Sequence, residues 1–525
     1  MYNLTQDRFI RTDMSDGETV RLSLPQVFEA LGADRVSGFP ALRPHQRASW
    51  HMLLAQLGAL ATYRFGSRPE TAEDWAAALR ALAPAEAWDL IGEKDEAPAF
   101  LQPPMSGPYK DEIRAADAID VLVTSKNHMV KAAQAVNAEP DVWLFALVSL
   151  QTMQGGLGKG NFGISRMNSS YGSRPFIGVA PPGGFGAHVM RDVELMLEAR
   201  ADLLDRTGLS EEGHELLWTL PWDGTTQLRF ESLAPWYVEV CRRVRLRRDA
   251  RGIFAERENS TVARVDMTDR NGISGDHWAP INLKEQKLYT ADARGFNASV
   301  ACALLLPSGG ERRFSLPDAM RLLPSDQEMR VQMRVLVRGQ GKTEGYHERE
   351  IPFRRPAVTL LRTPEGAERL ADLARDHLTE LDEISSAIRY AVVGFCAAGD
   401  RDLMRKPSKA VARQADMLAG PIRAAFLAEA DALFFDRVQD RLETPGIEID
   451  QIRGLIERAR ELLLPAMETF PVPSAKRLRS LVAGERAFNA SVRFGRGRIG
   501  ARRDQLFPKT TSKETLDETV SEGAE

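Results

Sequence analysis

After residue 364 the apolar positions settle into a spacing of three and four. Leu370, Leu373, His377, Leu381, Ile384, Ile388, Ala391 and Phe395 fall on one face of a helix. A second helical stretch is expected from about Lys406 to Leu442, with Pro421 in "GPIRAAF" opening a new helix. Ile449, Ile452, Ile456, Ala459, Leu463, Ala466 and Phe470 make a third stripe, and "SAKRLRSLVAGERAFNASV" begins a fourth after "FPVPS". Long helices joined by short Pro/Gly breaks predict a four-helix bundle over 365–505. Residues 506–525 end in "PKTTSKETLDETVSEGAE", which is too poor in apolar side chains to fold and is expected to be disordered.

Before residue 365 the pattern is different. "DRFIRTDMSDGETVRLSL" predicts two short strands around a DG turn, and "SLPQVFEALGA" a helix with Ser23 as N-cap and Pro25 in its first turn. "HQRASWHMLLAQLGALATYRF" has the composition of a buried helix. In "RVQMRVLVRGQGKTEGYHEREIPF", Val331, Met333, Val335 and Val337 alternate with polar neighbours until Gly339 and Gly341 turn the chain. Strands and helices mix here without a regular βαβ rhythm. The fold class is therefore α+β, with a large irregular mixed domain at 1–364 followed by the helical bundle.

Composition narrows the function classes. The chain has 525 residues, enough for two or three domains with real cores. No apolar signal segment opens it, and its longest apolar run, "VWLFALVSL", is too short for a bilayer, so no membrane partner is expected. Cys241, Cys302 and Cys396 show no metal-ligand spacing, which points to a reducing, cytoplasmic setting and away from a zinc ribbon. The net charge of −4 excludes a uniformly basic nucleic-acid binder. Local patches remain: Arg242, Arg243, Arg245, Arg247, Arg248 and Arg251 in one run, and a second run from Lys476 to Arg503. Such patches fit either phosphate contact or a solvated face.

The densest candidate chemistry lies at 153–175, "MQGGLGKGNFGISRMNSSYGSRP", where glycines stand among Lys159, Arg166 and Arg174. So many glycines beside so many donors suit a phosphate backbone or a nucleotide. "GKGNFG" matches G-x-G-x-x-G formally, but no helical stripe follows, and Gly160 stands where a P-loop needs Ser or Thr. The eight histidines show no metal-site spacing; His377 belongs to a helical core stripe. Carboxylates are unpaired, and no GxSxG elbow is present. The missing catalytic constellation favours a binding subunit over an enzyme. Two alternatives stay open: a nucleotide-binding enzyme using the 155–163 loop, and a scaffold that binds only proteins.

Several segments in this order resemble a known family. They are "YNLTQDRFIRT", "AFLQPPM" from Ala99, "VTSKNHMVK" at 123–131, a helical stretch leading into the glycine loop, "PWYVEVCRRVRL" at 235–246, and the C-terminal bundle. Together they resemble the CasA family, the large subunits of type I-E Cascade complexes of CRISPR systems, over essentially the whole length. The resemblance implies a non-enzymatic subunit of an RNA-guided complex. Such a subunit reads the protospacer-adjacent motif (PAM) on double-stranded DNA, helps open the duplex and recruits the CRISPR helicase–nuclease; base pairing with crRNA reads the rest. Its implied partners are target DNA, crRNA and the other Cascade subunits, and no cofactor or metal is implied for this cysteine-poor chain.

Residue by residue, the resemblance places Gly156, Leu157, Gly158, Lys159 and Gly160 at a loop that approaches the PAM through the minor groove. Glycine lets backbone come close to base edges there. It places Gln340, Lys342 and Thr343 at the tip of a duplex-parting hairpin, and maps Arg264 to a PAM-contacting position. The pair at Lys342 and Thr343 departs from the Asn-Gln pair followed by a small residue that one family member carries there. Lys126, Asn127, His128 and Lys131 fall in a loop that meets the crRNA 5′ end. Arg477, Arg479, Arg486 and Arg493 give the fourth bundle helix a basic face for DNA or neighbouring subunits.

Overall fold

The computed structural model describes residues 2–105, 109–120, 138–168, 171–324, 327–339 and 342–508. They fall into two compact units, Met1–Glu368 and Arg369–Glu525. The change of pattern read at 364/365 lies four residues before this division, in the first turn of the Pro364–Cys396 helix.

In the first unit, strands Ile10–Met14 and Thr19–Leu22 pair antiparallel around the DG turn. The Leu24–Gly32 helix follows, and the Ser23 amide donates to Gln26 Oε1 at 3.1 Å. At the centre runs the Arg47–Phe65 helix, buried continuously from Ala48 to Thr62. A helix apolar on every side can only sit inside other elements. It packs against helices Phe185–Glu198, Ala72–Leu82 and Pro140–Met153 and strand Leu233–Val238. Trp50, Trp75, Trp143 and Trp278 fill the surrounding core.

The alternating segment forms a long hairpin, Met329–Gly339 with Lys342–Phe353. Strand Phe176–Ala180 adds to its outer side, in register from Arg330↔Ala180 to Arg334↔Phe176. Val331, Met333 and Val335 point into the core as the alternation requires. Towards the turn Leu336, Val337 and Arg338 are all buried, so both faces are covered there. A bulge at Glu344 shifts the register between Val337↔Gly345 and Arg338↔Thr343.

The second unit is built from the helices Pro364–Cys396, Lys409–Ala432, Ile447–Thr469 and Ser474–Phe494, with a shorter helix at Phe434–Glu443. Most of the predicted stripe residues are buried, including Leu370, Leu381, Ile384, Ile388, Ile452, Ala459 and Leu463. Close packing of the fourth helix depends on Gly484, where a Cβ would lie 2.7 Å from Met467 Sδ and 3.1 Å from the Ala391 carbonyl. One expectation is corrected: Pro421 does not open a helix but lies inside Lys409–Ala432. The carbonyl it leaves without a donor belongs to Met417, on an exposed face where water can replace the missing amide. The break comes instead at Leu433. Leu506, expected in the tail, is buried in this unit; residues 509–525 lie outside the described residues. No helix among the described residues is long and apolar enough to cross a membrane.

Candidate nucleic-acid interface

The glycine-rich segment follows the Pro140–Met153 helix, which ends where Gln154 turns extended. Gln154 forms an antiparallel bridge with Ser173, and Ile164 N returns to donate to the Gln154 carbonyl at 3.0 Å. Between these points Leu157 N donates to Asn161 O at 2.8 Å and Asn161 N to Gly158 O at 3.0 Å. This closes a tight turn with Lys159 and Gly160 at its tip. Gly158 (φ +108°) and Gly160 (φ +83°) take left-handed backbone that other residues adopt only at a cost. At Gly160 a Cβ would lie 2.8 Å from Asn259 Cβ, while Ser260 N donates to the Gly160 carbonyl at 3.2 Å. At Gly163 a Cβ would meet Gly156 N at 2.7 Å.

The loop backbone is thus committed, in contrast to the free backbone its composition implied. Gly158 and Lys159 are exposed, Gly156 and Leu157 half-buried, and Gly160 buried. Lys159 makes no ion pair among the described residues and presents its ammonium to solvent.

The arginine run after Cys241 braces this loop. Arg242 Nη2 donates to the Gly155 carbonyl at 2.9 Å, and Arg243 Nη1 to the Asn259 carbonyl at 3.1 Å, beneath Gly160. Arg245, fully buried, donates to the carbonyls of Gln102, Ala97 and Lys94. Only Arg248 and Arg251 of the run are exposed. A phosphate-contact reading of Arg242, Arg243 and Arg245 is therefore overturned. Their guanidinium groups donate to backbone carbonyls within the fold. Arg166 and Arg174 are likewise internal. Arg166 pairs with Glu239 at 2.7 Å and stacks on Tyr237, whose hydroxyl burial pushes up to about 12. Arg174 clamps Asp276 at 2.5 and 2.9 Å.

One residue not singled out in the sequence joins the two expected DNA-facing elements. Arg338, at the end of the hairpin's first strand, donates from Nη1 to Gln154 Oε1 at 2.8 Å. Ser173 N also donates to Leu336 O at 3.2 Å. The stem of the glycine loop and the turn end of the hairpin are thereby held together. Arg338 is 6% exposed with no ion pair among the described residues, and burial pulls its guanidinium down to about 10; nearby Asp120 opposes that shift and Arg242 adds to it. Asp120 is held by His45 Nε2 at 2.5 Å and Gln46 Nε2 at 2.7 Å. It is the last described residue before the segment containing Lys126, Asn127, His128 and Lys131, which lie outside the described residues, as does Gln340.

Lys342 is exposed and pairs with Glu344 at 2.8 Å. Two expectations are corrected. Thr343 is 2% exposed and faces Arg338 across the ladder, so it is not presented for insertion. Arg264 is 4% exposed, donates to the Leu220 carbonyl at 3.2 Å and lies 5.4 Å from the Trp222 ring; burial pulls it down to about 10. It is a core cation that does not reach the surface. In the second unit Arg477, Arg479, Arg486 and Arg493 are all exposed on the Ser474–Phe494 helix, beside Leu478 (75% exposed). Arg477 caps the Glu468 carbonyl at 2.6 Å and Arg493 stands 4.9 Å from the Phe507 ring.

The order around the loop, helix before and strand Phe176–Ala180 after, reverses the strand–loop–helix arrangement that dinucleotide binding requires. The family model described as CRISPR-associated protein Cse1 matches residues 3–462. The chain belongs to the Cse1 family. Among solved structures, Cse1 from Acidimicrobium ferrooxidans superposes with a TM-score of 0.64 at 13% identity, covering 97% of this chain and 99% of its own. Thermus thermophilus CasA (Cse1) gives 0.59 at 17% identity, covering 93% and 98%. A chain of a structure titled a CRISPR RNA-guided surveillance complex gives 0.52 at 14%, covering 93% and 99%. At these identities the structural likeness carries the fold alone, and the family model carries the membership. No curated protein matches the chain. The resemblance to the CasA family drawn from the sequence thus agrees with membership of the Cse1 family and with its α+β fold and helical C-terminal region.

Proposed function

We propose that this chain is the non-catalytic large subunit of an RNA-guided DNA surveillance complex in the cytoplasm, and that it reads the PAM through its glycine turn. Support comes from membership of the Cse1 family and the likeness to a chain of an RNA-guided surveillance complex. The observation that carries the reading is the Arg338–Gln154 hydrogen bond, which couples the stem of the glycine turn to the end of the hairpin. In this reading Gly156, Leu157 and Gly158 bring backbone to the minor groove, buried Gly160 fixes the turn that presents them, and Lys159 neutralises a phosphate. Lys342, with Gln340, parts the first base pairs beyond the PAM. The segment carrying Lys126, Asn127, His128 and Lys131 meets the crRNA. The exposed arginines of the fourth bundle helix meet DNA or a neighbouring subunit, and the helicase–nuclease is recruited to the assembled complex.

The test is duplex binding by the complex reconstituted with and without this chain. Binding that strengthens with the chain and falls steeply with salt supports the reading, since each phosphate neutralised contributes about −0.9 to the log–log slope. Equal binding with and without it sinks the reading.

A further inference from the structure

The core of the first unit holds a cluster that the proposed function does not use. His51 comes from the central Arg47–Phe65 helix, and His188 and Asp192 stand four residues apart on one face of the Phe185–Glu198 helix. All three are buried, and one ligand atom from each lies within 4.8 Å of the others. His51 Nε2 is 2.8 Å from Asp192 Oδ2, and the two imidazole rings are 4.5 Å apart. His51 Nδ1, His188 Nε2 and Asp192 Oδ1 have no hydrogen-bond partner. Unsatisfied polar atoms so deep in a core are costly and call for an explanation.

We propose that His51, His188 and Asp192 bind one structural divalent transition-metal ion of the zinc class. Two imidazoles and a carboxylate are a donor set zinc accepts, with arms of about 2.0–2.2 Å. Such an ion holds its ligand atoms roughly 3.3–3.6 Å from one another, closer than the 4.8 Å within which they lie here. An outer shell is already in place: Trp278 Nε1 donates to Asp192 Oδ2 at 2.8 Å. His277 lies at the edge of the cluster, its unpartnered Nε2 4.0 Å from Asp192 Oδ1 and its Nδ1 3.9 Å from Asp318 Oδ2. The competing cation is Arg191, whose Nη1 lies 3.6 Å from the same oxygen but is engaged by the carbonyls of Val179 and Ala319. Full enclosure assigns the ion a role in holding two helices together and leaves it no substrate position.

The experiment uses the purified full chain. Zinc content is measured directly, and the EDTA-treated chain is titrated with Zn²⁺ and with Co²⁺ while the melting temperature and visible spectrum are followed. The expected result is one ion per chain, a rise in melting temperature by several degrees, and the d–d bands of a tetrahedral cobalt site. His188→Gln is expected to lose all three. X-ray absorption of the zinc-loaded parent provides a check that does not depend on how the variant folds: two or more imidazoles and no sulfur in the first shell. A folded parent that neither contains nor takes up the metal overturns the proposal. So does a sulfur-ligated ion, or a folded His188→Gln variant that binds as the parent does.

Discussion

At Glu380 the bundle core holds a carboxylate with no exposed surface. It accepts from Arg441 Nη2 at 2.6 Å and Arg502 Nη1 at 2.9 Å, and His377 Nδ1 lies 3.4 Å away. Burial alone would raise its pKa, but His377 and Arg441 outweigh it, and the net shift is downward. His377 is also shifted downward, chiefly by burial. Glu380→Gln leaves two arginines around a neutral acceptor, and is expected to cost about 3–5 kcal/mol in urea unfolding of the chain. The pH dependence follows from both directions. Above pH 6.5 neither group distinguishes folded from unfolded chain. As the pH falls below 6.5 the unfolded state takes up the His377 proton first, and below about 4.5 the Glu380 proton too, so stability drops in both windows. The melting temperature of His377→Gln should therefore depend less on pH between 7 and 5.5 than that of the parent; equal slopes would contradict this assignment.

Among the elements, the glycine turn makes the sharpest distinction between space and backbone conformation. Nothing lies within 4 Å of a Cβ at Gly158, so Gly158→Ala meets only the left-handed backbone, a cost of about 1–2 kcal/mol. Gly160→Ala meets the same strain and Asn259 as well, and should destabilise the chain more than Gly158→Ala does. Chemical denaturation of the two variants measures the order. Lys159→Ala, which removes only an exposed ammonium, should change stability by less than about 0.5 kcal/mol.

What could be read from the sequence divides along the same lines. The hairpin and the bundle stripes were legible because their signals are periodic and local: Val331, Met333 and Val335 at period two, Leu381 to Ile388 at helical spacing. The fate of the arginines was not. Arg242 is used by the Gly155 carbonyl, and Arg245 by Lys94 and Ala97, partners far away along the chain. A run of arginines carries no local mark of whether its partners are carbonyls within the fold or phosphates outside it. Arg264 and Thr343 were misplaced for the same reason, since tertiary packing decides their burial. Arg338 and Gln154, which link the loop stem to the hairpin, stand 184 positions apart. His51, His188 and Asp192 escaped notice because only the fold brings them together.

On the scale of the whole molecule, the net charge is −4 and most of the basic run at 242–251 is engaged within the fold. On the elements of the proposed interface the exposed cations are local: Lys159 on its turn, Lys342 beside its partner Glu344 at the hairpin end, and the arginines of the fourth bundle helix. The proposed function therefore has specificity assembled from a small number of positions within the complex. The most direct test is affinity for guide-matched duplexes carrying every flanking trinucleotide, measured for complexes reconstituted with the parent chain, Lys159→Ala or Gly158→Val. Lys159→Ala is expected to weaken all duplexes by a similar factor, whereas Gly158→Val is expected to narrow the spread between favoured and disfavoured trinucleotides while still entering the complex. A spread left intact by Gly158→Val would contradict the claim that this turn reads the PAM.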